Sequence, residues 1–309
     1  MAADRPPGRL LAGRKRRFWR RFASHRLATL AGWLLLALVL AVVAGPRLAA
    51  ALGLDGETVN LLGRLAPASL GHPLGTDELG RDLLQRLLEG GRISLSVGLA
   101  GALLTALIGT AIGLAAGYAG GRADAALMRL TDAIIALPLL PLLIVLAAVD
   151  LTRLGLPAAL AEGGLASVLR IVLLVALFGW TTVARLVRAA VLSQKERDYV
   201  RAARALGAGP WRIAVRHVLP NVASPIIVAT TLSIGNIMLT ESVLSFLGLG
   251  IQPPLPSWGN MLTNAQELIW QAPHLAVWPG ALIFLAVIAF NLLGDGLQDA
   301  LDPRGDLGR

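Results

Sequence analysis

The sequence predicts an all-α polytopic membrane protein with six transmembrane helices. Its composition, six long stretches nearly free of charge, and the placement of its basic residues carry that reading. Hydrophobic residues make up 55 % of the 309 and charged residues 15 %, with a mean hydropathy of +0.67. Soluble domains carry roughly 25 % charged residues. Crossing a hydrocarbon layer of about 30 Å takes roughly 20 helical residues.

The six stretches run from Leu27 to Gly45, Ile93 to Tyr118, Ala133 to Val149, Gly163 to Ala184, Val222 to Leu244 and Ala276 to Gly294. Arg170 interrupts the fourth and Glu241 lies near the end of the fifth. A cleaved signal peptide is the competing reading of the first. That stretch is longer than a signal core, and the five others need no export signal.

Most of the 28 Lys and Arg fall in segments that share one side if the N-terminus is cytoplasmic. They are Arg5, Arg9, Arg14, Lys15, Arg16, Arg17, Arg20, Arg21 and Arg26 at the start, and Arg122 and Arg129 after the second span. Arg185, Arg188, Lys195, Arg197, Arg201, Arg204, Arg212 and Arg216 follow the fourth span, with Arg304 and Arg309 in the tail. The positive-inside rule therefore predicts both termini in the cytoplasm. The net charge of +9 fits loops held against anionic membrane lipid. Nucleic acid is not indicated, since no basic face is interleaved with aromatics.

The chain divides into a basic tail over 1–26, a first span with its outer loop over 27–91, a core over 92–295 and a C-terminal tail over 296–309. Between the first two spans, Leu83, Leu84, Leu87 and Leu88 form one apolar stripe on a short helix at 82–89. Thr76 or Asp77 is expected to cap it. In the second span Gly101, Thr105, Gly109, Gly113, Gly117 and Gly121 recur every fourth residue. Such a stripe lets another helix approach closely, and close packing within one bundle is its expected use.

The inner connection at 185–221 contains Asp198-Tyr199-Val200-Arg201-Ala202-Ala203-Arg204-Ala205-Leu206-Gly207 and continues through Pro210, His217, Leu219, Pro220 and Asn221. Ala, Arg and Leu favour a first short helix, which Gly207 ends in the left-handed region. Pro210 suits the first turn of a second, where its missing N–H costs nothing. Ala202 and Ala203 offer a flat surface to another protein. The plain alternative is a solvated basic linker lying on lipid.

This segment resembles the signature loop of binding-protein-dependent ABC importer permeases, Glu-Ala-Ala, three residues, Gly, nine residues, Ile, one residue, Leu-Pro. Ala202, Ala203, Gly207, Leu219 and Pro220 match at that spacing, while Arg201 replaces the usual Glu and His217 the Ile. The Arg-His-x-Leu-Pro-Asn form is usual in the peptide-importer branch. His72–Asp82, Ser245–Gly250, Pro256–Gly259 and Asn291–Gly296 resemble further blocks of the dipeptide, oligopeptide and nickel group.

The resemblance implies the type I ABC importer permease fold and transport of short peptides across a bacterial inner membrane. The same machinery for nickel or another small solute is the near alternative. Implied partners are a second homologous permease, two ATP-binding cassette subunits and a periplasmic or lipid-anchored substrate-binding protein. The two short helices would dock on the ATPase and transmit its closure.

No cofactor is expected in this chain; ATP and Mg would bind the partner. Lys15 and Lys195 are the only lysines, and neither sits in a phosphate-binding Gly-x4-Gly-Lys loop. The absence of cysteine excludes thiolate metal sites, and His25, His72, His217 and His274 show no metal-ligand spacing. A self-contained secondary transporter would show inverted repeats, and a membrane hydrolase a catalytic constellation; neither stands out. Glu241 is a candidate for the translocation path, with pairing inside the bundle as the alternative, and Arg170 is placed to snorkel outward.

Overall fold

The computed structural model describes residues 19–149, 163–263 and 265–301. The basic residues before Trp19 and those beyond Leu301 lie outside them. Helix α1, Arg26–Ala51, begins where His25 Nδ1 accepts the Ala28 N–H at 3.3 Å. It passes through Pro46 and so outlasts its expected end at Gly45.

Helix α2, Leu83–Ala119, is 37 residues long and corrects the expectation of a separate short helix at 82–89. Those leucines form its first turns, and its cap is Asp82, whose Oδ1 accepts the Gln85 N–H at 2.8 Å. The helix runs without a break through Gly90 and Gly91. They make room for the loop above, since a methyl group on Gly91 would stand 2.5 Å from Trp258 Cζ2. Thr76 and Asp77 instead brace the 52–82 loop. Asp77 Oδ1 accepts the N–H groups of Leu79 and Arg81 at 2.9 Å each, and its Oδ2 meets Arg81 and Arg86.

The expected third span is broken. Helices α3, Gly121–Ile135, and α4, Leu139–Ala147, meet at 81°. Pro138 has no N–H to continue a helix and drives Leu137 away from helical geometry. Helix α5, Gly164–Lys195, continues well past the expected end at Ala184. The bent pair runs antiparallel beside it. Asp124 meets Arg188 near one end, and Ala147 O accepts from Arg170 Nη1 at 3.3 Å near the other. Arg188 to Arg170 spans roughly 27 Å of helix at about 1.5 Å per residue.

The 198–221 loop holds α6, Asp198–Ala205, and α7, Pro210–Ile213, and after it come α8, Ala223–Phe246, and α9, His274–Leu301. Helix α9 continues through residues 296–301, the first part of the expected C-terminal tail. Among the described residues five helices are long and apolar enough to cross a membrane, or six if the bent pair counts as one span.

The small-residue stripe of α2 lies against α5. A methyl group on Gly109 would stand 2.7 Å from Trp180 O, and one on Gly113 would stand 2.5 Å from Ala184 O. Gly101 instead faces Ile237 of α8, and Gly121 stands in open space at the turn into α3. Bringing backbones this close replaces the hydrophobic drive that lipid cannot supply. Helix α1 rests on α9, with Ala28 against Gly296.

Candidate docking loop and buried carboxylate

The connection after α5 forms helix α6, Asp198–Ala205, and helix α7, Pro210–Ile213. Helix α7 continues through a π turn, Ala214–Val218, into a 3-10 turn, Leu219–Asn221, that holds Pro220. Gly207 at φ +80° lets Ala208 N–H reach Ala203 O at 3.1 Å while its own N–H reaches Arg204 O at 3.0 Å. That pair of bonds is the Schellman closure, and a residue with a side chain is strained at this φ.

Val200, Ala203, Ile213, Ala214 and Val218 are buried together with Leu114 of α2 and Val183, Val187 and Val191 of α5. The loop is thus fastened to the ends of two spanning helices by its own apolar core. This divides the expected Ala202–Ala203 surface: Ala203 faces that core and only Ala202 faces out.

What projects instead is Leu206, 88 % exposed, and Trp211, 78 % exposed, on either side of the Gly207 turn. A methyl group on Gly207 would meet nothing within 4 Å. Sequence reasoning passed over both residues, although two large apolar side chains in a basic loop were the available signal.

Arg201, at the position where Glu is usual, lies 3.5 Å from Glu196, both well exposed. Arg197, Arg204, Arg212 and Arg216 are exposed and make no ion pair among the described residues. Tyr199 Oη donates to Gln194 Oε1 at 2.9 Å, and partial burial pushes its phenol up. His217 is half-buried, and its carbonyl accepts from Asn221 Nδ2 at 2.7 Å. Leu219 is half-buried and Pro220 exposed.

Glu241 lies at the other end of the bundle with no exposed surface. Ser245 Oγ donates to its carboxylate at 2.7 Å, Ser94 Oγ at 3.3 Å and Ser242 Oγ at 3.4 Å. Two of these hydroxyls in turn accept backbone N–H groups of the 247–263 segment, Ser245 from Ile251 at 3.0 Å and Ser94 from Trp258 at 3.1 Å. Glu241 therefore joins α2, α8 and that loop through serines. Within this chain its carboxylate is enclosed by these partners.

These features define a class: a polytopic helical membrane protein with a rigid, basic loop that presents apolar side chains away from the bundle. The family model described as binding-protein-dependent transport system inner membrane component matches residues 109–306. A second, the N-terminal TM domain of oligopeptide transport permease C, matches residues 14–57. The chain is similar to a glutathione transport system permease protein of Pectobacterium atrosepticum, 43 % identical over 94 % of this chain and 91 % of that one. It is also similar to a di/tripeptide transport system permease protein of Pseudomonas aeruginosa, 42 % identical over 75 % of this chain and 72 % of that one. The chain belongs to the family of binding-protein-dependent transport system inner membrane components and is a permease subunit of such an importer.

Proposed function

We propose that this chain and a second, related permease subunit together form a passage for short peptides, driven by ATP hydrolysed on two separate subunits. The observation that carries this is the 198–221 loop, whose inner face is fastened to α2 and α5 while Leu206 and Trp211 face outward. A lever needs both properties, a stiff root and a surface for another protein to hold.

The loop face is assigned to the cytoplasm, where most Lys and Arg then lie. The two described chain ends lie side by side, with Ala28 on Gly296 and His25 3.5 Å from Asp299, and Gly294 packs on Leu232 in the first half of α8, which supports the same face for them as for the loop. Counting α3 and α4 as one crossing gives six spans with both termini inside. The opposite face, with the 52–82 and 247–273 loops, would receive cargo from a binding protein.

This chain itself would hydrolyse no ATP and hold no cofactor, with ATP and Mg bound by the partners. Short peptides are assigned as cargo because relatives are named for di/tripeptides and for glutathione, itself a tripeptide. Proteoliposomes containing both permeases, the ATPase subunits and the binding protein test this. ATP-dependent uptake of labelled di- or tripeptide is expected, whereas uptake driven by an ion gradient without ATPase subunits would refute the assignment.

A further inference from the structure

We infer that Arg185, Arg188 and Lys195 of α5 form a linkage that passes movement of the 198–221 loop to the hinged half-helix α3. This rests on the ATP-driven permease reading above. All three cations lie in the last turns of α5, and only Glu196 and Arg197 separate Lys195 from the start of α6. Each reaches across to the hairpin formed by α2 and α3. Arg188 grips Asp124 with two prongs, Nε to Oδ1 at 2.5 Å and Nη2 to Oδ2 at 2.7 Å. Arg185 Nη2 pairs with Asp132 Oδ1. Lys195 Nζ donates to Gly117 O at 3.0 Å, in the last turn of α2.

Within this chain helix α3 is held by little else. Thr131 is its only buried residue. Its start is a turn of two left-handed glycines, Gly120 at φ +66° and Gly121 at φ +55°. Its far end is the 81° break at Pro138. A segment with a turn at each end and almost no apolar grip takes its position from whatever polar ties it makes. The paired acids, Asp124 and Asp132, are the only acidic residues on α3.

Arg185–Asp132 is exposed on both sides and adds little stability, while Arg188–Asp124 is partly buried and the more firmly held of the two. Their use is directional. A bidentate guanidinium–carboxylate pair fixes both distance and angle, and obliges α3 to follow α5. In the sequence these cations look like three more counts toward the basic inner loops. The structure gives each one a specific acceptor.

The test uses the whole transporter in proteoliposomes, with wild-type ATP-dependent uptake as its control; failure there would overturn the ATP-driven reading and not this one. Arg188→Asp and Asp124→Arg are each expected to lower uptake roughly tenfold. ATPase subunits should still co-purify and hydrolyse ATP. The exchanged double variant, Arg188→Asp with Asp124→Arg, should recover uptake. Uptake at the wild-type level in both single variants would overturn the linkage.

Because the chain has no native cysteine, a second measurement avoids comparing separately folded variants. Arg188→Cys with Asp124→Cys is joined by a short, reducible bis-methanethiosulfonate reagent. Uptake should be low before bridging, rise on bridging and fall again on reduction. Unbridged protein that transports normally, or bridged protein that gains nothing, would count against α3 following α5.

Discussion

Gly113 of α2 lies directly against the carbonyl oxygen of Ala184 on α5, with 2.5 Å left for any added methyl carbon. One helix turn on, Gly117 repeats the arrangement at Val191 and the Arg188 carbonyl, at 2.9 and 3.0 Å. The base of α5, from which the outward loop departs, is therefore seated on backbone and not on flexible side chains.

Gly113→Leu should consequently force α2 from α5 and lower stability by about 1–3 kcal/mol or more. Gly32→Ala, on a face of α1 with nothing within 4 Å, should leave the melting temperature unchanged or raise it slightly, since alanine favours the helix. Thermal unfolding in detergent, followed by size-exclusion fluorescence, separates the two. Equal melting temperatures would remove the small-residue stripe from the packing scheme.

Leu206→Asp and Trp211→Asp are expected to leave the isolated chain as stable as wild type, since both side chains are exposed. Binding to the ATPase subunits should weaken by roughly 2 kcal/mol or more per site if these are anchor residues. Co-purification and titration of the ATPase subunit measure this.

Glu241→Leu strips a shared acceptor from Ser94, Ser242 and Ser245, stranding buried hydroxyls at a cost of about 1–3 kcal/mol each. Glu241→Gln retains one carbonyl acceptor and should cost less. Limited proteolysis should show the 247–263 segment loosening in the leucine variant. Loss of uptake with an unchanged melting temperature would place Glu241 on the passage instead.

Arg201→Glu should change stability by less than about 0.5 kcal/mol, because the pair with Glu196 is exposed on both sides. The informative readout is ATP hydrolysis in the complex. A large change there with an unaltered melting temperature would show that the usual acidic residue is specifically excluded at this position.

The membrane class and five of the six expected spans were legible because apolar length is a local property of the sequence. So was the turn at Gly207, since a helix end with its left-handed glycine is written in a few adjacent residues. Long-range packing was not. The short helix expected at 82–89 proved continuous with the second span, and only the position of Trp258 shows why Gly91 lies between them. The stretch from Ala133 to Val149 is apolar enough for one span, yet Pro138 bends the chain beyond what hydropathy registers.

In the loop, adjacent alanines cannot reveal which one faces inward until Ile213 and Val218 are in place beneath them. Glu241 could be flagged as unusual from its setting alone. The serines that surround it arrive from α2 and from its own helix, and sequence distance hides the first of these.

Cross-linking from position 206 is the most direct test of the loop as the ATPase contact. Leu206→Cys provides a single thiol in a chain without cysteine. In the assembled complex, a short photoactivatable thiol reagent at that position should attach to the ATPase subunit, with a yield that changes between ATP-bound and nucleotide-free states. Exclusive attachment to lipid or to the second permease, in a complex that transports normally, would mean that the loop does not couple this chain to ATP.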